Sequence, residues 1–199
     1  MSRPVAFLES KRLYLRTLQA EDVEGAYPGW LNDRDVCQGN SHHVYPYTRQ
    51  QAAAYVQHAA TTLDELVLAV VLKDNNLHIG NVALQKLNWI CRTAEFSILL
   101  GDRAEWGKGY GLEASRVLLH HAFTALNLTR VACATFHTNV AMRKLALSLG
   151  MLEEGVRRRA AYKDGRYLDT VEFGVLRDEF LTGQEAANGR EQNAESGGK

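Results

Sequence analysis

The chain has 199 residues, with 23 basic side chains against 23 acidic ones and no formal net charge; 46% of its residues are apolar and 23% charged. Those proportions are globular, and a chain of this length can bury roughly 70% of the surface it exposes when unfolded. They exclude an overall field that would gather nucleic acid, and no apolar run reaches the length of a membrane span. The start, MSRPVAFLES, lacks a charged stretch followed by a long apolar core, so no secretory signal is read there and the expected compartment is the cytoplasm. Cys37, Cys91 and Cys133 are too widely spaced for a disulfide framework or a metal quartet and are expected to be buried free thiols.

In chain order, KRLYLRTL (11–18) alternates as a strand, and QAEDVEGAYPGWLND (19–33) reads as a helix with acids in its early turns. TRQQAAAYVQHAA (48–60) is a second short helix, opened by Thr48 as N-cap. ELVLAVVLK, LHIGNVALQKLN and RTAEFSILLG are three strands on short links, which implies an antiparallel meander. YGLEASRVLLHHAFTAL carries Leu112, Leu119, Phe123 and Leu126 near helical spacing. A strand RVACATF follows, then a helix NVAMRKLALSL ended by Gly150, and two strands around EEGVRRRAAYKDGRYLDTVEFGVL. Alternation along the first of these should send Arg158 to the face opposite Arg157 and Arg159. The whole reads as one α/β domain over residues 1–181, with a tail, 182–199, that has almost nothing to bury and is expected to be disordered.

DRAEWGKGYGLEAS (102–115) places Gly107, Gly109 and Gly111 between a strand and a helix. A triphosphate loop would need Lys108 to be followed by Ser or Thr, and it is followed by Gly109. GYGLEA satisfies a dinucleotide fingerprint, but residues 114–152 contain no acid to hold a ribose. What remains is a pyrophosphate cradle, in which bare backbone lets successive N–H groups approach an anion at the positive end of a helix. Arg116, Arg130, Arg143 and Lys144 lie in the same acid-free span.

With these residues in view, EWGKGYGLEA resembles the acyl-CoA pyrophosphate loop of the GNAT superfamily of N-acetyltransferases, and NVAMRKLALSLGM resembles the asparagine-to-glycine helix of its RimJ/RimL-like branch. WLNDRDV and DGRYLDTVEFGVLRDEF are similar to that branch too, so the resemblance covers about residues 10 to 180. It implies a mixed, mostly antiparallel central sheet with a splayed strand pair, flanked by helices, and acetyl-CoA as cosubstrate with no metal. The implied cofactor residues are Ile98, Leu99 and Leu100 for the pantetheine arm, Trp106, Gly107, Lys108, Gly109, Tyr110 and Gly111 for the pyrophosphate, and Asn139 and Arg143. Trp106 stands where relatives have Gln or Arg, while Met142 and Ala146 replace the serine and the tyrosine that relatives use, so no general acid is evident.

Attack on a thioester requires a neutral amine. At pH 7.5 a lysine is only about 0.1% neutral, against roughly a third of an α-amine. Glu95 occupies the place of the relatives' catalytic glutamate and is the expected base, directly or through water; an exposed strand carboxylate is the other reading. His137, just past RVACATF, could relay the proton or be satisfied by backbone, and Asn139 could hold the cofactor, cap its helix, or do both. Trp30, Tyr45, Tyr47 and Tyr162 are the candidate substrate contacts; His42 and His43 beside Cys37 fit no standard metal spacing. The expected reaction moves an acetyl group to a primary amine, either a peptide N-terminus or a small molecule such as a polyamine, drug or nucleotide-linked amino sugar. A non-catalytic CoA-binding module is the alternative of another class. No nucleic acid or membrane is expected as partner, and an apolar edge strand leaves a homodimer open.

Overall fold

The computed structural model describes residues 5–184. Its strands and helices run β1 (Leu8–Glu9), β2 (Leu13–Thr17), α1 (Ala20–Glu24), α2 (Tyr27–Trp30), α3 (Arg49–Ala59), β3 (Leu66–Leu72), β4 (His78–Asn88), β5 (Thr93–Leu100), α4 (Tyr110–Thr124), β6 (Arg130–Phe136), α5 (Val140–Ser148), β7 (Leu152–Lys163) and β8 (Arg166–Leu176). A last helix, α6, covers 177–184. The disordered tail expected over 182–199 thus lies outside the described residues, except for 182–184, which continue α6.

The strands form one sheet in the order β1-β2-β3-β4-β5-β6-β8-β7, antiparallel throughout except for β5 against β6. This is the mixed, mostly antiparallel sheet expected, and the meander β3-β4-β5 holds. β3 is almost wholly apolar because both its faces are buried. Leu68, Val70 and Leu72 pack with α4, α5 and α6 on one side, while Val67, Ala69 and Val71 pack with α1, α2 and α3 on the other. Leu119 and Phe123 of α4 are fully buried in the first layer. No helix among the described residues is long and apolar enough to cross a membrane.

Several local expectations hold for the reasons given. Thr48 caps α3 by accepting from the Gln51 N–H, with Gln51 returning the bond. Gly150, at φ +81°, ends α5, and the Met151 N–H reaches back to the Ala146 carbonyl at 3.0 Å. Three expectations need correction. The helix expected over 19–33 breaks into α1 and α2, because Gly25 leaves the helical region and Pro28 would clash with the Glu24 carbonyl. Arg157, Arg158 and Arg159 are all exposed on edge strand β7, and the expected alternation is interrupted there, because the register against β8 slips between Arg157 and Ala161, with Arg159 at φ +52°. Cys91 is exposed in the link between β4 and β5, whereas Cys37 and Cys133 are buried; burial pushes the Cys133 thiol up to about 12.

One packing contact ties the α1–α2 layer to the end of β5. A Cβ built on Gly101 would lie 1.8 Å from Trp30 Cδ2, so the indole is seated directly on bare backbone. Gly101→Ala should therefore lower stability by about 1–3 kcal/mol, or several degrees in Tm by calorimetry. An unchanged Tm would show that the ring moves aside without cost.

Candidate active site

β5 and β6 pair only over three rungs, Thr93 with Arg130, Ala94 with Val131 and Glu95 with Ala132. Past Glu95 the two strands separate: β5 continues against β4 to Leu100, and β6 continues against β8 to Phe136. The gap is a cleft of about 600 Å³, walled by Phe96, Ile98 and Leu100 on one side and by Ala134, Thr135 and α5 on the other. Gly107, Gly109 and Gly111 close one end of it.

Gly107 and Gly109 have φ of +76° and +84°, a region that bare backbone enters at little cost. Gly109 is the N-cap of α4, so the helix's first N–H groups and its positive end face the cleft. Arg12, immediately before β2, clamps the loop. Its Nη1 donates to the Lys108 carbonyl at 3.0 Å, its Nε pairs with Glu113 Oε2 at 2.7 Å, and the guanidinium lies 4.4 Å over the Tyr110 ring. Burial alone would raise the Glu113 carboxyl, but bonds from the Arg12 N–H, Ser10 Oγ and the Arg12 guanidinium outweigh it and hold the group below the usual range. Sequence reading missed Arg12 and Glu113, which are far apart along the chain. The cleft fits a CoA in chemistry and shape, with a glycine cradle for phosphates and an apolar, unpaired strand edge beyond it.

The expected site residues divide sharply. Ile98, Leu100, Trp106, Gly107, Gly109, Tyr110, Gly111 and Asn139 all line the cleft. Leu99 points to the other face and packs with the α1–α3 layer. Lys108 contributes its carbonyl to Arg12 and its ammonium to Glu105, 2.9 Å away. Arg143 turns toward the His137 carbonyl and Glu153, and Lys144 lines the cleft instead. Trp106 donates its indole N–H to the Leu100 carbonyl at 2.9 Å, occupying an acceptor on the strand expected to pair with pantetheine.

Glu95 stands on the last rung before the split, on the sheet face opposite Phe96, half-exposed and 2.9 Å from Lys86 Nζ. His137 is exposed, its backbone N–H and its Nδ1 both facing the Asp169 carbonyl, outside the cleft lining. Trp30 is buried on Gly101 and His78, Tyr47 is packed near Tyr27, and Tyr45 is exposed. Tyr162 stacks edge-on against Tyr167 at 5.1 Å on the exposed β7–β8 hairpin. None of these four lines the cleft. Among the described residues no group of three His, Cys, Asp or Glu side chains is placed to hold a metal ion.

Asn139 does two things at once. Its Oδ1 caps α5 by accepting the Met142 N–H, and its Nδ2 donates to the Gly39 carbonyl at 3.1 Å, drawing the loop after α2 against the cleft. Gly39 must be bare, since a Cβ there would lie 2.3 Å from Asn139 Nδ2. Asn139→Asp keeps the cap but loses the donor, so it should hold Tm near wild type while cutting turnover several-fold. Asn139→Ala should lose turnover and about 1 kcal/mol of stability together. Equal turnover in the wild type and Asn139→Asp would remove the bridge to Gly39 from the active arrangement.

On the far side of Asn139 lies a second, polar recess of about 360 Å³, reached by Gln38, Lys163, Asp164 and Arg166. Gly39, Trp106, Asn139 and Ala141 belong to both spaces. The sequence pointed to the loop after α2 and to the β7–β8 hairpin as substrate elements, but singled out the aromatics there rather than these polar residues.

Comparison with known proteins agrees with this geometry. The model of the acetyltransferase (GNAT) domain matches residues 12–152. The N-acetyltransferase p20 of Bacillus licheniformis is 29% identical over 181 residues, 87% of this chain and 97% of that one. A spermidine N(1)-acetyltransferase of Vibrio cholerae is 31% identical over 107 residues, 54% of this chain and 61% of its own. The crystal structure of a spermidine N-acetyltransferase from Vibrio cholerae in complex with CoA and spermine shares the fold, with a TM-score of 0.78 at 24% identity, over 85% of this chain and 98% of that one.

Proposed function

As a member of the acetyltransferase (GNAT) family, to which the chain belongs, the protein is an acetyl-CoA-dependent N-acetyltransferase, and we propose that its acceptor is a weakly basic primary amine of the α-amino or amino-sugar type. The observation that carries this reading is where the carboxylates stand. Glu105, in the wall of the cleft, is engaged by Lys108, and Glu95 stands outside that wall beside Lys86. Deprotonating a lysine or polyamine amine at neutral pH costs on the order of 3–4 kcal/mol more than an α-amine, which asks for a base in direct contact.

Acetyl-CoA supplies the thioester carbonyl to which the amine adds, with loss of the CoA thiol. The glycine loop and α4 hold its phosphates, the free edge of β5 aligns its arm, and Asn139 fixes the wall that separates it from the recess where the amine enters. Glu95 takes the amine's proton through water from the far side of the split. With Met142 and the buried Ala146 in place of the usual acid, that proton returns to the departing sulfur through solvent. The motif ending at Gly150 supports placement in the RimJ/RimL-like branch, and a charged cosubstrate that crosses no membrane unaided supports the cytoplasm. Leu152, Val156 and Tyr162, exposed along edge strand β7, are where a second copy would pair; a monomer by light scattering would dismiss this.

The test is thiol release from acetyl-CoA over a panel of peptides with free N-termini, amino sugars and polyamines, with the wild type and Glu95→Gln. Release is expected with α-amines or amino sugars, and Glu95→Gln should lower kcat at least tenfold with acetyl-CoA affinity unchanged. Preference for spermidine, the substrate named by relatives from Vibrio cholerae and Escherichia coli, would overturn the weakly basic amine. Full turnover in Glu95→Gln would dismiss the base.

A further inference from the structure

Resting on the acetyl-transfer reading above, we infer that the acceptor carries an anionic group beside its amine and that Lys163 and Arg166 hold that group in the polar recess. Lys163 ends β7 and is only 7% exposed, yet among the described residues its ammonium meets no carboxylate; it donates to the His42 carbonyl and to nothing else. A cation so far from water is ordinarily paired, because its desolvation is otherwise uncompensated. Arg166, across the hairpin tip on the same recess, also has no acidic partner among the described residues.

The two carboxylates of the recess are already matched from outside it. Asp35 is bound by Arg103 at 2.6 Å, and Asp164 lies 3.7 Å from Arg34; neither arginine lines the recess. What the recess offers a ligand is therefore two cations and the first turn of the nine-residue helix α5, whose positive end favours an anion. Asn139, Gly39 and Trp106 form the common wall with the cleft, so an anion held at Lys163 places its own amine toward that wall. A polyamine would bring further positive charge to Lys163 and Arg166 instead. Carboxylate and phosphate both satisfy these donors, so the acceptor class is an amino acid or short peptide with a free carboxylate, or a phosphorylated amino compound.

The experiment uses matched pairs whose amines differ little in basicity. Glucosamine 6-phosphate is compared with glucosamine, and the dipeptide Ala-Ala with its C-terminal amide, with spermidine as the cationic control. The full chain should favour the anionic member of one pair roughly tenfold to a hundredfold in kcat/KM, through KM, and the winning pair tells phosphate from carboxylate. Lys163→Met and Arg166→Gln should each erode that preference while calorimetric affinity for acetyl-CoA stays within about twofold. Arg166 is exposed, so its variant carries the test if Lys163→Met fails to fold. Equal or better use of the neutral members or of spermidine overturns the inference while leaving acetyl transfer intact. If no amine is acetylated, calorimetry of glucosamine 6-phosphate and Ala-Ala against the CoA-loaded protein decides. Binding lost in Arg166→Gln upholds the anion site and sinks the transfer reading, and no binding of either sinks the inference.

Discussion

Gly109→Val should weaken acetyl-CoA binding roughly fivefold to a hundredfold while leaving the protein folded. At φ +84° a β-branched residue is strained by about 1–3 kcal/mol, and the loop can escape only by changing the conformation that presents its amides. A second effect adds to the first. Even a bare Cβ at Gly109 would lie 3.4 Å from Arg12 Nη2, so the valine methyls push against the guanidinium that holds the Lys108 carbonyl and Glu113. Calorimetric titration should show the loss in affinity, and a thermal scan a fall of only a few degrees. Gly29→Ala, in α2 with open space around it, is the matched control and should change neither. Unaltered affinity in Gly109→Val would mean that the glycine loop does not hold the cofactor.

Arg16→Met should cost about 3–5 kcal/mol at neutral pH, the largest stability effect expected of a single change away from the cleft. Arg16 and Asp22 are both buried and joined by two bonds of 2.7 Å, and His78 Nδ1 stands 3.1 Å from the same carboxylate. Burial would raise the Asp22 carboxyl, but Arg16 first and His78 second outweigh it and hold the group well below the ordinary carboxylate range. A depressed carboxyl contributes stability that is complete above its unfolded value, about 3.9, and is lost as pH falls through the folded one. The wild type therefore keeps this contribution down to about pH 4. In Arg16→Met burial regains the upper hand, Asp22 takes up a proton at higher pH, and the deficit should shrink on acidification. Denaturant melts at several pH values measure this. A deficit under 1 kcal/mol at neutral pH, or one that grows as pH falls, would contradict it. The consequence reaches the active site, because Asp22 also accepts the Gln19 N–H at the start of α1, and His78 packs edge-on against Trp30, which rests on Gly101 at the end of β5.

The parts of the protein that were legible in its sequence are those whose physics is local. Alternation placed β2, strand-like apolar runs bounded by short links placed β3 to β6, a side-chain oxygen placed the start of α3, and a glycine placed the end of α5, each within a few residues of the feature it explains. The glycine loop belongs with them as backbone shape, since Gly107 and Gly109 at positive φ lead directly into the N-terminus of α4. Even where local signals competed, as Gly25 and Pro28 did with the helical pattern of 19–33, the residues that broke the helix were visible in advance. What only the tertiary structure decided is which distant groups share a space. Arg12 meets Glu113 because β2 runs beside the start of α4, and Lys163 is stripped of water by a loop some 120 positions earlier. Trp30, an expected substrate contact, is buried on a glycine 71 residues later that gives no sign of the approach. The slip in β7 that interrupts alternation at the three arginines depends on its pairing with β8. Desolvation and pairing of charge are set by neighbours in space, and those neighbours are chosen only when the sheet has assembled.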